Sequence, residues 1–305
     1  MFLGVGGLVV SLMISSSALS QDLFVDSYFN GTVIQISPDR TQSTFASGIP
    51  TASGMAFDST GNLFVAKSVA ANGNYGSIVK IASNGAQSTF ASGLNSPESL
   101  AFSSAGNLFV DSYSAGTITE ITPAGVQSIF ASGLYSPEGM AFDSAGHLLV
   151  ASGSSIYKFT PGGVRTTFAS GLDAPYGIAI DHEDNVFTAD DFSTTIDKFT
   201  PTGVRSTVGY GLANVYNCMA IDSADNLFVG EWGTGNAYNG TIVKITPSGV
   251  QSIFASGLYS PTAIAFQIPE PSALVLLIVG ATMFLMYGRR NSTPSPLILS
   301  NHWMR

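Results

Sequence analysis

The sequence is poor in charge. Charged residues make up 10% of it, against roughly 25% in an ordinary soluble protein, so Ser, Thr, Asn and Gly must carry much of the solvated surface. The charges present are unbalanced: 11 Lys and Arg against 20 Asp and Glu, a net charge of −9. That balance argues against nucleic acid as a partner. A single cysteine, Cys218, rules out an internal disulfide framework; within an apolar run it reads as a buried, inert thiol. The three histidines, His147, His182 and His302, are dispersed, so a Ser-His-Asp arrangement has no support. CxxC and Gly-rich phosphate loops are missing. Between residues 21 and 267 no stretch of useful length carries the apolar period of a helix.

What is present is a repeat. An LFV-like triplet opens at Leu23, Leu63, Leu108, Leu148, Val186 and Leu227, at spacings of 40, 45, 40, 38 and 41 residues. A period near 40 built from short apolar runs marks propeller blades. In the copy at 106–145 the runs are 107–111, 117–122, 126–131 and 139–143. Turn residues separate them. Thr122-Pro123-Ala124-Gly125 puts Pro where its fixed φ suits a type I turn, and Asp143-Ser144-Ala145-Gly146 offers an Asx start and a Gly able to take positive φ. Alternation within the runs is weak, which predicts sheets covered on both faces.

Four strands per unit, A to D, recur six times. Strand A falls near residues 54, 99, 139, 177, 218 and 263. The first copy begins at B and the last ends on A, so the final A strand can complete the first blade. The expectation is an all-β, six-bladed β-propeller over 21–267, four strands per blade, closed by strands from both termini without an open edge between first and last blade. An open β-solenoid is the competing architecture, but its coils are usually shorter.

The ends read differently. Residues 1–20 have an apolar core and small residues, with Ala18 and Ser20 suited to the −3 and −1 positions of a signal peptidase site, though no basic start. At the other end Ile268-Pro269-Glu270-Pro271 precedes an apolar run at 273–287 and then Arg289-Arg290. This predicts one short C-terminal transmembrane helix with the arginines cytoplasmic and the propeller outside. Pro-Glu-Pro, a short span and an Arg pair, over 268–290, resemble the PEP-CTERM sorting signal of Gram-negative bacteria. That resemblance implies an exosortase-type sorting protease as partner. It also implies a transient stay in the inner membrane, then release or attachment at the cell surface. An ordinary membrane anchor is the alternative. Residues 291–305 form a short tail beyond the point where such signals normally end.

The repeats resemble NHL-type and gluconolactonase/regucalcin-like propeller units through Pro137-Glu138-Gly139-Met140-Ala141-Phe142-Asp143 and Gly106-Asn107-Leu108-Phe109-Val110. The resemblance spans 21–267 and implies the fold. It leaves activity open among lactonases, lyases and binding modules.

Two sets of positions differ between copies. The residue before each strand A is Ser53, Glu98, Glu138, Tyr176, Asn217 or Thr262, and in a propeller these ring one mouth of the channel. Glu98 and Glu138 on adjacent blades suit Ca²⁺ or another divalent cation, or acid/base work by split pKa values; the plainer alternative is two solvated carboxylates. The gluconolactonase/regucalcin resemblance implies a channel metal held by a Glu-Gly-Pro glutamate, Asn side chains and an Asp. Glu138-Gly139 matches, but Met140 replaces the Pro, Cys218 rather than Gly follows Asn217, and no ring position carries the Asp. Glu98, Glu138 and Asn217 are the candidate metal ligands.

The second set lies in the B–C loops, which run 13 residues in two copies (Val65 to Ile78, Val229 to Ile242) against 8 in most (Val110 to Ile118). They overhang the same mouth. Tyr75, Trp232 and Tyr238 are the candidate ligand-binding residues, with Tyr28, Tyr113 and Phe192 in equivalent shorter loops. Exposed aromatics with Asn and Gly suit carbohydrate or protein recognition; packing on neighbouring loops is the alternative. The leading expectation is an exported, surface-sorted binding or scaffold protein associated with the cell surface or extracellular polysaccharide. It has no assigned catalytic residue. A metal-dependent lactonase or related hydrolase is the alternative, its ion polarising the substrate carbonyl.

Overall fold

The Thr-Pro-x-Gly and Asp-x-x-Gly stretches reverse the chain where their chemistry demands. The N–H of Gly125 donates to the Thr122 carbonyl at 2.8 Å with Gly125 at φ 81°, and the N–H of Thr122 returns to Val126 at 3.0 Å. Asp143 accepts the N–H groups of Ala145 (3.1 Å) and His147 (2.8 Å) in an Asx turn closed by Gly146 at φ 78°. In two copies an aspartate takes that left-handed position, Asp184 at φ 61° and Asp225 at φ 58°. Each reaches back one unit. Asp184 accepts the N–H and hydroxyl of Ser144, and Asp225 accepts the N–H of His182 and pairs with its ring. The strained turn thereby becomes a link between neighbouring units.

The computed structural model describes residues 21–68, 76–190, 194–212, 215–232 and 239–267, without the side chains of 216 and 217. The strands assemble into six four-stranded antiparallel sheets, ordered A-B-C-D from the axis outward. This is the six-bladed propeller that the repeat predicted. Blade 1 takes B, C and D from residues 23–47, and blades 2 to 6 follow along the chain to Leu258. The segments expected to hold the signal peptide and the transmembrane helix lie outside the described residues. The chain divides into units Met1–Ile268 and Pro269–Arg305. No helix among the described residues is long and apolar enough to cross a membrane.

A repeated aromatic triad glues blade to blade. Phe24 of strand B meets Phe45 of its own strand D and Phe57 of the next blade's strand A, both edge-on with centroids 4.9 Å apart. Phe64, Phe90 and Phe102 repeat the arrangement one blade on, as do Phe109 with Phe130 and Phe142, and Phe228 with Phe254 and Phe266. Edge-to-face pairs add roughly 0.5–1.5 kcal/mol each beyond their burial. The last triad crosses the junction between blade 6 and blade 1.

Burial on both faces holds for the inner strands only. Strand B of blade 1, Leu23–Ser27, is buried at every position, whereas the outer strands begin with three exposed residues, as in Gln127–Ala131. The expectation of two covered faces is corrected there. The blades splay with distance from the axis, and the rim is left in water.

Closure follows the expected route. Ile264–Phe266 pairs with Leu23–Ser27 in the register Leu23↔Phe266, Phe24↔Ala265 and Val25↔Ile264. Beyond these three pairs the Asp26 N–H still donates to the Ala263 carbonyl at 3.1 Å, and the opposing backbone N–H groups are held by a side chain. Asp26 is fully buried and accepts the N–H groups of Thr262 at 2.8 Å and Ala263 at 2.7 Å, with the Thr262 hydroxyl 2.6 Å from its second oxygen. Asp111 does the same in blade 3 for Glu98 and Ser99, at 2.7 and 2.8 Å. In both blades strand A is cut to three residues. The other four carry Ala66, Ala151, Ala189 or Gly230 at this strand B position, and their A strands run six or seven residues.

Replacing Asp26 with Ala strands two buried N–H groups at the point where the termini meet. Asp26→Ala should lower the unfolding free energy by at least about 2 kcal/mol, since an unsatisfied buried donor costs roughly 1–3 kcal/mol. Urea unfolding measures it, and an unchanged midpoint would show that closure does not depend on this carboxylate.

Candidate functional site

The residues before strand A converge because the blades pack tightly there. A Cβ on Gly54 would stand 2.5 Å from the Glu98 carbonyl oxygen, and one on Gly139 2.3 Å from that of Tyr176. Hydrogen bonds stitch the same ring. The Thr262 hydroxyl lies 3.0 Å from the Ala52 carbonyl, that of Ser53 donates to Pro97 at 2.8 Å, and Met140 N–H donates to Ser99 Oγ at 3.2 Å. Each bond joins one blade to the next, so the mouth is a rigid collar.

Inside the collar is a cavity of about 320 Å³. Every ring position whose side chain is described lines it: Ser53, Glu98, Glu138, Tyr176 and Thr262. The other three lining residues are Tyr28, Tyr113 and Trp232, each standing directly after a strand B. The same repeat position holds Ser68, Gly153 and Asp191 in the other copies. Three tyrosines and a tryptophan thus surround two glutamates. Behind Trp232 the exposed ring of Phe29 packs edge-on at 6.2 Å, and Phe29 in turn meets Tyr28 at 5.1 Å and Tyr259 at 6.1 Å. The aromatics therefore do both things that the sequence left open: some support one another, and four face the cavity.

Of the residues singled out from sequence, Trp232, Glu98 and Glu138 come together. Tyr75 and Tyr238 lie outside the described residues, as does the side chain of Asn217. Asp111 had no signal of its own beyond an acid in a strand whose counterparts are small, yet it sits beneath Glu98. It is fully buried, and its Oδ2 has no hydrogen-bond partner among the described residues. His147 and His182 lie in A–B turns at the opposite mouth, paired with Asp143 and Asp225. Cys218 is buried with a thiol pushed well up by burial, as expected of an inert cysteine.

Burial governs the acids. It pushes the Glu98 carboxyl up to about 7, against a hydrogen bond with Ser53 that lowers it. It raises Asp111 well above the ordinary range, against the N–H groups of Ser99 and Glu98, and the charges of Glu98 and Glu138 add to the rise. Asp26 is raised by burial to about 7 despite its three donors.

The metal expectation can be set against this donor set. Among the described residues no three His, Cys, Asp or Glu side chains form a group able to hold an ion. The nearby hydroxyls of Ser53 and Thr262 are turned to Pro97 and to Asp26 and Ala52. Glu98 and Glu138 fall short of the six to eight oxygens that Ca²⁺ takes.

No protein-family model and no curated protein sequence matches the chain. Solved structures do resemble it. Virginiamycin B lyase from Staphylococcus aureus superposes with a TM-score of 0.57 at 16% identity, over 76% of this chain and 80% of that one. A streptogramin B lyase gives 0.60 at 17%, over 80% and 83%. A catalytically inactive histidine-to-alanine variant of the S. aureus enzyme, with quinupristin, gives 0.58 at 15%, over 78% and 85%. At these identities the likeness is one of fold.

The raised acids fix the sign of a pH dependence. Glu98 and Asp26 keep their protons in the fold after the unfolded chain has released them near 4.5 and 3.8. The folded state therefore binds more protons in that window, and their contribution to stability falls as pH rises from about 4 to about 7, then levels. Asp58, Asp143 and Asp225 are lowered, so their contribution is lost as pH falls below about 4. The thermal midpoint should peak near pH 4–5. Glu98→Gln should flatten the limb between about 4.5 and 7; an unaltered limb would assign the fall to other groups.

Proposed function

We propose that this chain is an exported propeller of the NHL and gluconolactonase-like type that binds a small ligand, or the terminal group of a larger one, in the channel-mouth cavity. The observation that carries this reading is the set of four aromatic rings around two carboxylates inside one rigid collar. The volume is at the lower end for small-molecule sites, so the cavity suits a single ring or headgroup rather than a polymer chain. The Pro-Glu-Pro segment, apolar run and Arg pair support sorting to the surface by an exosortase-type protease. That address makes cell-surface material and extracellular polysaccharide the natural source of ligands. Replacing Pro269-Glu270-Pro271 by alanines should then keep the protein in the membrane fraction, whereas unchanged release into the medium would remove the sorting signal from the account.

Two catalytic readings find less support. A metal-dependent hydrolase needs ligands that the described donors do not supply. The lyases that resemble the chain include one inactivated by loss of a histidine, and neither His147 nor His182 lines this cavity.

Trp232 and Trp303 are the two tryptophans, so Trp303→Phe leaves Trp232 as the sole indole reporter. Titration of that variant with surface-glycan fragments should give a saturable fluorescence change. Calorimetry on Tyr113→Ala should show affinity lower by roughly tenfold, the worth of one lost aromatic contact. A flat titration with every fragment would remove the glycan reading, and a midpoint rise with Ca²⁺ that Glu138→Ala abolishes would restore the metal reading.

A further inference from the structure

The polar equipment of the cavity narrows the ligand's chemistry. Of its eight described lining residues four are aromatic, two are carboxylates and none is basic. The stretches outside the description that adjoin it in sequence, 69–75, 191–193, 213–214 and 233–238, contain no Lys, Arg or His. None of these residues brings a positive charge to the cavity, whereas a cationic ligand would. An anionic group would meet Glu98 and Glu138 with buried Asp111 beneath them, in a chain of net charge −9.

A neutral sugar would bring no charge to the carboxylates. The two short hydroxyls of the collar are already engaged by Pro97, Asp26 and Ala52; the tyrosine hydroxyls can meet sugar hydroxyls, but they do not select for charge. What distinguishes the cavity is carboxylate oxygen beside aromatic face. Both attract a cation, the first by charge and the second by the ring quadrupole, and tyrosine and tryptophan with acidic neighbours form the cages that hold ammonium groups.

We propose that the cavity takes an organic ammonium group, a protonated amine or a quaternary ammonium, seated between Glu98 and Glu138 and faced by Tyr28, Tyr113, Tyr176 and Trp232. This rests on the reading of the cavity as a ligand site and specifies the ligand's charge. Such a group also suits the buried acid. Burial raises the Glu98 carboxyl, and a cation at contact distance favours its ionised form. The amino groups of amino sugars and the trimethylammonium of choline-bearing surface polymers share this chemistry.

Matched pairs test it on the full-length Trp303→Phe chain, by Trp232 fluorescence and by calorimetry at pH 7, where both amines are predominantly cationic. Choline is compared with 3,3-dimethyl-1-butanol, its neutral isostere, and glucosamine with N-acetylglucosamine. The expected result is saturable binding of the cationic member of at least one pair, about tenfold or more tighter than its neutral partner. Glu138→Gln should weaken the cation by about tenfold and leave the neutral isostere unchanged, with the unfolding midpoint confirming the fold. Equal binding of charged and neutral members overturns the charge assignment and leaves the cavity as a ligand site. Absence of binding by all four overturns the charge assignment and the binding reading together.

Discussion

The N–H groups of Thr262 and Ala263 end on the carboxylate of Asp26, and the rest of the molecule depends on that contact. A blade buries its faces only against two neighbours, so six blades are stable only when the sixth meets the first. The aromatic triads supply apolar adhesion at four of the six junctions, but they are non-specific about where the circle closes. The register of closure is set by three backbone pairs and one buried carboxylate, between residues more than two hundred positions apart in sequence. The same contact presents Thr262 to the cavity. Fold and site share one joint.

Asp26 and Asp111 also show how a repeat is edited. Most blades put a small residue at that point of strand B and let strand A run on. Two blades put an acid there and stop strand A early, so that a side chain does the work of backbone pairing. Burying the carboxylate is unfavourable in isolation, and the raised proton affinity of both acids expresses that cost. The N–H groups offset part of it, and the ring gains an anchored turn at the residue that faces the channel. Blade 5 departs in another way. Where other blades pair a valine with an apolar residue, Tyr157 or Thr119, it pairs Thr188 with Asp197, and Arg205 holds Asp197 close.

Much of this was legible in the residues. The 40-residue period, the Gly and Pro punctuation and the offset between first B and last A strand were enough for blade number and closure. The ring position before strand A could be read because Glu98 and Glu138 interrupt a series of otherwise unlike residues. Less legible was the position after strand B. Tyr28 and Tyr113 each end the run LFVDSY, but Trp232 opens a longer loop, so the register it shares with them emerges only once the end of each strand is fixed. The caps at Asp26 and Asp111 were hidden for a different reason. An acid inside an LFV-type strand reads as an outward-facing residue under weak alternation. Only packing shows that position to be enclosed. The exposure of the rim is hidden in the sequence because apolar residues such as Ile129 and Ile253 in outer strands mimic core residues, although they are 63% and 60% exposed.

The closing strand gives the ring a mechanical polarity. Tension applied through the C-terminus would reach Gln267 first, whose N–H is held by Asp22, then peel Phe266, Ala265 and Ile264 from their partners one pair at a time. This is unzipping, the geometry in which bonds are loaded in series rather than shared. The carboxylate of Asp26 is the last catch in that series, and Thr262 in the cavity wall is what it holds. A pull strong enough to open the ring would therefore draw Thr262 out of the cavity wall in the same step that breaks the closure, so that the cavity is lost at the first mechanical failure of the fold.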